Sequence, residues 1–456
     1  MNIIIVVSAA LICFQLSYSY ALSNETNKQK DDIDPIEEKE ECSHSYKGED
    51  DISSCQANHN KNCKSTPRLN DENNNNNKTT YQIFELILAD SHEKLDPTLP
   101  KTVSEIKNRG GHRCWHKHST FLEHLLGVHN ILRLWGQSYT TGRVGLLHSA
   151  YSNSYVNLAL FDPNNENERE YMRSMIGSEA EELVYLFCII DRQSVVVDTL
   201  LKQGYIPNEG LYVPHLRNES ITVHLSAETL RLLVIFTMAD IADQYFGWQD
   251  RLFGGVEQNN SMLIPGKDDV KKHESNALWP GSSKPGLWMN YVSELGLVAK
   301  TYNYRNEEKE GGDKKVQEKE INDLLPPVFA NCSQSLSRND EAKARDLYWS
   351  IIMMEMIPSD EEIICTLEEA SKYNPWFFEC HVMLAQKYLH VNENEKARVA
   401  AERALELQME WGTAYDKRMT FPAWVAWTRV LHQRACDETG WPTNSWDVNN
   451  LGMVHG

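Results

Sequence analysis

The sequence lacks the local motifs that identify several large enzyme classes. Its 456 residues contain no glycine-rich phosphate-binding loop, no G-x-S-x-G nucleophile elbow, no H-E-x-x-H zinc-protease helix and no paired C-x-x-C. Basic residues are in the minority, because 45 Lys and Arg face 65 Asp and Glu and leave a formal net charge of −20. Such an acidic surface repels phosphate backbones, which argues against nucleic-acid binding. A small phosphorylated ligand needs only a local basic pocket and stays compatible with the composition.

Cysteine is too sparse for a disulfide-rich scaffold. The chain has ten cysteines, and loss of Cys13 with an N-terminal signal leaves nine, an odd number. Cys42, Cys55 and Cys63 lie in a polar segment, where they can pair with one another or with a partner. Three others lie in apolar helical patterns and are predicted to be buried thiols: Cys188, Cys365 and Cys380.

Only the N-terminus carries a long apolar run. Residues 3–16 are mostly apolar, which predicts a secretory signal peptide at residues 1–21 and a protein of the secretory pathway or the extracellular space. The run has no preceding Lys or Arg, so an uncleaved membrane anchor is the alternative. The rest of the sequence predicts no transmembrane segment. In the secretory pathway, five N-x-Ser/Thr patterns are candidate glycosylation acceptors: Asn24, Asn77, Asn218, Asn259 and Asn331.

The remaining chain divides by composition into four segments. Residues 22–79 are polar and Asn-rich and are predicted to be disordered, whereas 80–255 show helical periodicity. Residues 256–325 read as an irregular, charged linker. Residues 326–456 contain successive amphipathic helices whose period and small Ala positions resemble tetratricopeptide-type pairs, closed by three Trp that we expect to be buried: Trp411, Trp424 and Trp427. The expected fold is therefore mostly α, a helical bundle followed by a C-terminal helical-hairpin unit.

Polar residues on three apolar helices form the candidate site. His124 lies in "FLEHLLGVHNIL", His148 ends "TGRVGLLHS", and Asp243 lies in "FTMADIADQYF", with Asp240 one turn earlier. Buried acidic groups are unfavourable unless they are paired, hydrogen-bonded or metal-bound. Two imidazoles and a carboxylate are suitable ligands for a divalent cation with open positions. The structural alternatives are a histidine at a helix end and a hydrogen-bonded carboxylate.

These segments, with "IGSEAEELVYLFCIIDR", resemble the helical HD superfamily, nearest its SpoT-like guanosine-tetraphosphate hydrolases. They are more similar to the domain-of-unknown-function family 6817, over about residues 115–250. The resemblance implies an HD-like bundle in which His124, His148 and Asp243 hold a metal such as Mn, Zn or Fe, with Asp240 as the match if the register shifts by a turn. Ser149 stands where the superfamily has the aspartate of its His-Asp pair.

The same resemblance places Ser152 and Asn153 where the hydrolases carry a Glu-Asp pair that orients the attacking water. A neutral side chain neither binds a cation as strongly as a carboxylate nor takes up a proton near neutral pH. No catalytic residue is therefore assigned. The substrate-binding candidates are Ser149, Tyr151 and Arg192, the last of which either neutralises a phosphate or pairs with Asp191.

Two functions follow as hypotheses. The first is a metal-binding HD-like protein that takes a small phosphorylated ligand, possible hydrolysis included. The second is a non-catalytic protein that binds a protein partner through its C-terminal helices. A further histidine cluster, "GHRCWHKHS", places His112, Cys114, His116 and His118 in alternation, as in a small metal site. A surface histidine-rich turn is the favoured interpretation, because no second ligand pair is evident.

Overall fold

The computed structural model describes residues 78–152, 159–245, 284–310, 335–353 and 358–444, without the side chains of 303–310 and of Glu219. All of them belong to one compact unit, Pro67–Gly456. The predicted signal peptide, nearly all of the polar segment 22–79, the cysteines in that segment and every predicted glycosylation acceptor except Asn218 lie outside these ranges. None of the helices in the described ranges is long and apolar enough to span a bilayer.

The N-terminal part is mostly helical, as predicted, with two small antiparallel hairpins. Its helices are α1 Thr80–Leu88, α2 His92–Leu95, α3 Leu99–Asn108, α4 Phe121–Leu134, α5 Tyr139–Leu147, α6 Glu166–Ile176, α7 Ser178–Ile189 and α8 Ala227–Gln244. A π-helical segment, Gln193–Leu201, follows α7. The hairpins pair β1 Trp115–His116 with β2 Ser119–Thr120, and β3 Leu211–His215 with β4 Asn218–Leu225.

Local sequence signals fix the two helices that matter most for the site. Thr120 begins α4 with a capping box, in which its side chain accepts from the Glu123 N–H and the Glu123 side chain accepts from the Thr120 N–H. Ser226 caps α8 in the simpler manner, by accepting from Thr229. Helix α8 packs against α4, α5 and a later helix, and is therefore buried on nearly all sides from Leu230 onward. Any charged residue near its C-terminus must find partners inside the protein.

Part of the expected linker 256–325 is a long helix, α9 Met289–Glu310. The apolar residues Met289, Val292, Leu295, Val298 and Ala299 recur at helical spacing and are buried, so the segment has a core-facing stripe. The Gly, Pro and charged residues on either side of this stripe led to the prediction of an irregular linker. Residues 256–283 and 311–325 lie outside the described ranges.

The C-terminal part contains the helices predicted from the amphipathic pattern: α10 Arg338–Ile352, α11 Asp360–Tyr373, α12 Phe378–His390, α13 Asn394–Trp411 and α14 Phe421–Cys436. Each helix packs against the next, and α13 also contacts α1 and α4. Trp411 and Trp424 are buried and donate from Nε1 to the carbonyls of Trp376 and Asp416, whereas Trp427 is only partly buried. The unit therefore joins the N-terminal bundle rather than standing apart.

Residues 284–290, which lead into α9 and include its first two residues, are embedded in the C-terminal helices. The Glu341 carboxylate accepts three backbone N–H groups, from Trp288 at 2.8 Å, Met289 at 2.9 Å and Asn290 at 2.8 Å. The Trp288 ring packs against Trp411 with a centroid distance of 5.1 Å. Glu341 thus supplies the partners that the first N–H groups of a helix lack.

The structure describes five cysteines: Cys114, Cys188, Cys365, Cys380 and Cys436. Cys188 and Cys380 are buried, as predicted, but Cys365 is exposed. The buried face of α11 is formed by Ile363, Leu367 and Ala370, and Cys365 lies outside that face.

Buried His129 makes the fold sensitive to acid. Burial lowers its pKa to about 4, and its Nδ1 contacts only the neighbouring Asn130 Oδ1 at 3.1 Å. The unfolded chain, with an ordinary value near 6.5, binds more protons between these two values, so stability is full above pH 6.5 and falls toward pH 4. We expect the parent to lose about 2 kcal/mol more than His129→Gln between pH 7.5 and pH 5 in urea unfolding. Equal losses would show that His129 does not titrate in this way.

Candidate metal centre

Three side chains from different helices converge in the N-terminal bundle. His124 lies in the first turns of α4, His148 follows the last residue of α5, and Asp240 lies near the end of α8. Their ligand atoms all lie within 4.8 Å of one another, and no side chain is more than 3% exposed. Asp240 Oδ1 is 3.2 Å from His124 Nε2 and 3.6 Å from His148 Nε2. We call these three residues the metal group.

Both imidazoles are oriented through their other ring nitrogen. His124 Nδ1–H donates to Asp243 Oδ2 at 2.7 Å, and His148 Nδ1–H donates to the Gly145 carbonyl at 2.8 Å. Metal-binding histidines usually donate this second N–H to a carboxylate or a carbonyl, which fixes the tautomer and the ring. The arrangement leaves the two Nε2 atoms facing Asp240.

Asp240 is oriented in the same way. Its Oδ2 is 2.6 Å from Arg192 Nη2, whereas its buried Oδ1 has no well-aligned hydrogen bond. Burial lowers the pKa of His148 to about 3, so His148 is neutral and its Nε2 carries a lone pair. Burial alone would raise the pKa of Asp240, but Arg192 and His124 hold it well below its ordinary value. Two acceptor atoms, His148 Nε2 and Asp240 Oδ1, therefore face each other without a shared proton.

His124 carries a proton when no metal is present. Burial alone would lower its pKa, but the contacts with Asp240 and Asp243 raise it to about 9. A cation that binds Nε2 must displace this proton, so metal binding at the group should be tighter at higher pH.

The ligand types and spacings of the metal group fit a divalent cation. A tetrahedral site with bonds of about 2.0–2.2 Å separates its ligand atoms by about 3.4 Å, close to the two distances to Asp240 Oδ1. Two His and one carboxylate leave further positions for water or an exogenous ligand, as in catalytic rather than structural sites. Zn, Fe and Mn all accept such ligands.

The group that could hold a metal contains Asp240, the alternative register of the sequence prediction, in place of Asp243. Asp240, the alternative register, faces both Nε2 atoms, while the predicted Asp243 binds His124 from the opposite ring nitrogen. On a helix that is buried on nearly all sides, periodicity does not distinguish residues three positions apart. Asp243 therefore contacts the side of the His124 ring that faces away from Asp240.

The predicted substrate-binding residues are placed as follows. Arg192 pairs with Asp240, and the Asp191 carboxylate accepts the Gln193 N–H at 3.0 Å. Ser149 is buried directly after His148. Tyr151 is buried and donates its hydroxyl to Glu181 Oε1 at 2.8 Å, so that hydroxyl is already engaged. Ser152 is also buried, and Asn153 lies outside the described ranges.

Tyr151 does line a cavity, of about 550 Å³, together with Ser152, Phe161 and Arg217. The residues of the metal group do not line it.

The second histidine cluster lies beside the metal group rather than forming a group of its own. His116 stacks on His124 with a centroid distance of 4.4 Å, and its Nε2 donates to Gln244 Oε1 at 3.3 Å. His116 is half-buried, and burial lowers its pKa to about 4, whereas His118 is exposed. Across the described ranges the metal group is the one cluster of His, Cys, Asp and Glu with metal-like spacing. The β1–β2 hairpin thus covers one side of it.

Sequence reasoning missed two residues around the centre. Gly127 lies inside α4 at the point where the Asp243 carboxylate passes, and an added Cβ there would be 2.0 Å from Asp243 Oδ1. A glycine within an otherwise regular helix was the available signal. Lys417, between α13 and α14, donates to the Ala242 carbonyl in the last turn of α8. Nothing local in the sequence indicates that contact.

Comparison with known proteins identifies one domain. Residues 105–192, which are 88 of the 456 residues, match the family model described as domain of unknown function DUF6817. This span contains His124, His148 and Arg192 but not Asp240. No curated protein and no solved structure matches the chain. Residues 105–192 are therefore similar to DUF6817, and two of the three residues of the metal group lie within that similarity.

Proposed function

We propose that the protein binds a divalent cation at His124, His148 and Asp240, and a small phosphorylated ligand on that cation. The observation that carries the proposal is the convergence of the three ligand atoms, all buried and within 4.8 Å of one another, with the neutral His148 Nε2 facing Asp240 Oδ1 at 3.6 Å. Two facing acceptors in a low-dielectric interior are unfavourable without a cation between them. Both rings are oriented through Nδ1–H, which supports the same conclusion.

The surrounding residues have distinct tasks in this proposal. Asp243 holds His124 in the orientation that presents Nε2, and Arg192 holds the carboxylate that presents Oδ1. A bound divalent cation would supply Lewis-acid polarisation of a phosphate oxygen and would lower the pKa of a bound water. The resemblance to the HD superfamily supports a phosphorylated ligand, and the Arg192 guanidinium adds positive charge nearby.

We propose ligand binding with little or no hydrolysis. Ser149 and Ser152 stand where the resembling hydrolases carry acidic residues, and neither hydroxyl accepts a proton near neutral pH. The two carboxylates at the metal group are already ion-paired, Asp240 with Arg192 and Asp243 with His124. A secretory location, supported by the apolar residues 3–16, remains part of the proposal.

The test uses the full chain loaded with Mn²⁺, whose paramagnetism broadens the ³¹P signal of any phosphate bound to it. We expect broadening of orthophosphate by the parent protein beyond that from free Mn²⁺, none by His148→Ala, and negligible release of p-nitrophenol from p-nitrophenyl phosphate. Equal broadening by parent and variant would contradict phosphate binding at this site. Metal-dependent turnover that His148→Ala abolishes would contradict the proposed absence of hydrolysis.

The alternative function, partner binding through the C-terminal helices, has less support. Residues 284–290 of the same chain already occupy the contacts of Glu341 and Trp411. We therefore propose that the C-terminal helices mainly bind segments of the same chain rather than a protein partner.

A further inference from the structure

Lys417 connects the C-terminal helices to the last turn of α8. Its Nζ donates a hydrogen bond of 2.9 Å to the carbonyl of Ala242, a residue 175 positions away in the sequence, and a second bond to Thr413 Oγ1. Carbonyls in the last turn of a helix have no partner within the helix. The residue directly after Ala242 is Asp243, the acceptor of the His124 Nδ1–H.

The loop that carries Lys417 is itself fixed by buried groups. Glu379 Oε1 accepts the backbone N–H of Tyr415 at 2.7 Å and of Asp416 at 2.9 Å. Trp424 Nε1 donates to the Asp416 carbonyl at 3.0 Å. The backbone is therefore held at Tyr415 and Asp416, the two residues before Lys417. Because of this, the C-terminal helices fix where the Lys417 side chain starts and so help to place its ammonium group.

A second contact from the same unit reaches the same end of α8. Tyr245 directly follows the helix, and its ring packs on Gly286 so closely that an added Cβ would lie 2.0 Å from Cε1. Gly286 belongs to the embedded segment 284–290, whose Pro285 carbonyl accepts a bond from Arg345 Nη1 at 3.4 Å. The helix end that carries the carboxylates is thus held on two sides by residues that the C-terminal unit positions.

The charge distribution agrees with this arrangement. Burial lowers the pKa of Lys417 to about 8, while Asp243 and Glu379 oppose the shift. Burial alone would raise the pKa of Asp243, but His124 and, to a smaller extent, Lys417 hold it below its ordinary value. Asp243 is therefore kept as an anion between two cationic groups, one on each side of the interface between bundle and C-terminal unit.

We propose that Lys417 is a positioning residue of the metal centre. By holding the Ala242 carbonyl it fixes the turn in which Asp243 meets His124, and the C-terminal helical unit becomes part of the site. This inference rests on the proposed function, since it gives Lys417 a role at that centre.

The test compares the full-length parent with Lys417→Met, Lys417→Arg and the control Lys396→Met, which alters an exposed lysine of α13. Hydrogen exchange in residues 239–245 of the metal-free protein measures how firmly the turn is held. Competition with a chelating dye measures the affinity for Co²⁺. We expect faster local exchange in Lys417→Met and a Co²⁺ affinity about 10- to 100-fold weaker, the usual range for groups that orient ligands. Lys417→Arg should restore much of both, and Lys396→Met should change neither.

The sign of the affinity change separates positioning from charge. Removal of a cation near a metal centre, on its own, strengthens cation binding. Unchanged local exchange, or faster exchange with an equal or tighter Co²⁺ affinity, would overturn the inference and leave Lys417 as a helix cap. A parent that takes up no Co²⁺ would contradict the proposed function instead, and the exchange data would still decide whether Lys417 holds the turn.

Discussion

Gly127→Ala should destabilise the protein, although the same change inside an ordinary helix stabilises it. Ala is favoured over Gly in a helix interior by about 1 kcal/mol. Here the new Cβ would lie 2.0 Å from Asp243 Oδ1 and 2.6 Å from Asp243 Cγ, so the carboxylate has to move. Overpacking of this kind costs about 1–3 kcal/mol. Displacing Asp243 also removes the acceptor of His124 Nδ1–H, which adds the penalty of a lost buried charged hydrogen bond.

We expect a net loss of about 2–4 kcal/mol in the free energy of unfolding, measured by urea denaturation at pH 7.5. The matched control is the same substitution in an Asp243→Ala background, where the Cβ meets no carboxylate. There Gly127→Ala should be neutral or stabilising by up to about 1 kcal/mol. The same loss in both backgrounds would mean that Gly127 has some role other than making room for Asp243.

Asp240→Asn and Asp243→Asn should differ sharply in metal binding. Asp240 presents Oδ1 to both Nε2 atoms, so the neutral amide removes the anionic ligand and stoichiometric binding should be lost. Asp243 only orients His124, so its replacement should weaken the affinity about 10- to 100-fold without changing the stoichiometry at saturation. Titration with Co²⁺, followed by visible absorption, measures both quantities.

The metal-free proteins should also differ in stability. Asp240→Asn leaves the buried Arg192 without its anionic partner, and breaking a buried pair costs about 3–5 kcal/mol. Near-ultraviolet circular dichroism shows whether each variant is folded before the metal titration. Loss of metal binding in Asp243→Asn, with binding retained in Asp240→Asn, would show that Asp243 is the carboxylate ligand, as the sequence predicted.

The features of this structure that depend on neighbouring residues could be predicted from the sequence. The cap at Ser226, the stripe of α4 and the break at Gly177, where φ is 92°, were all visible as residue types at fixed spacing. His124 and His148 were also found, because a histidine within an apolar pattern is conspicuous. These features depend on neighbours within a few positions along the chain.

The remaining features depend on long-range packing. Asp240 and Asp243 are equivalent in a helix that is buried all round, so only the positions of α4 and α5 decide which one faces the histidines. Lys417 reaches α8 across 175 positions, and no local pattern encodes that contact. Helix α9 was not predicted, because the Gly and Pro residues near it indicate turns and its apolar stripe is short.

The metal content of the purified full chain, isolated without chelators and measured by elemental analysis beside His148→Ala, tests the central claim most directly. The account predicts close to one equivalent of Mn, Zn or Fe in the parent, or its uptake on addition, and none in a variant that remains folded. A parent that is metal-free and takes up none of these ions would contradict the metal centre, and with it the proposed function.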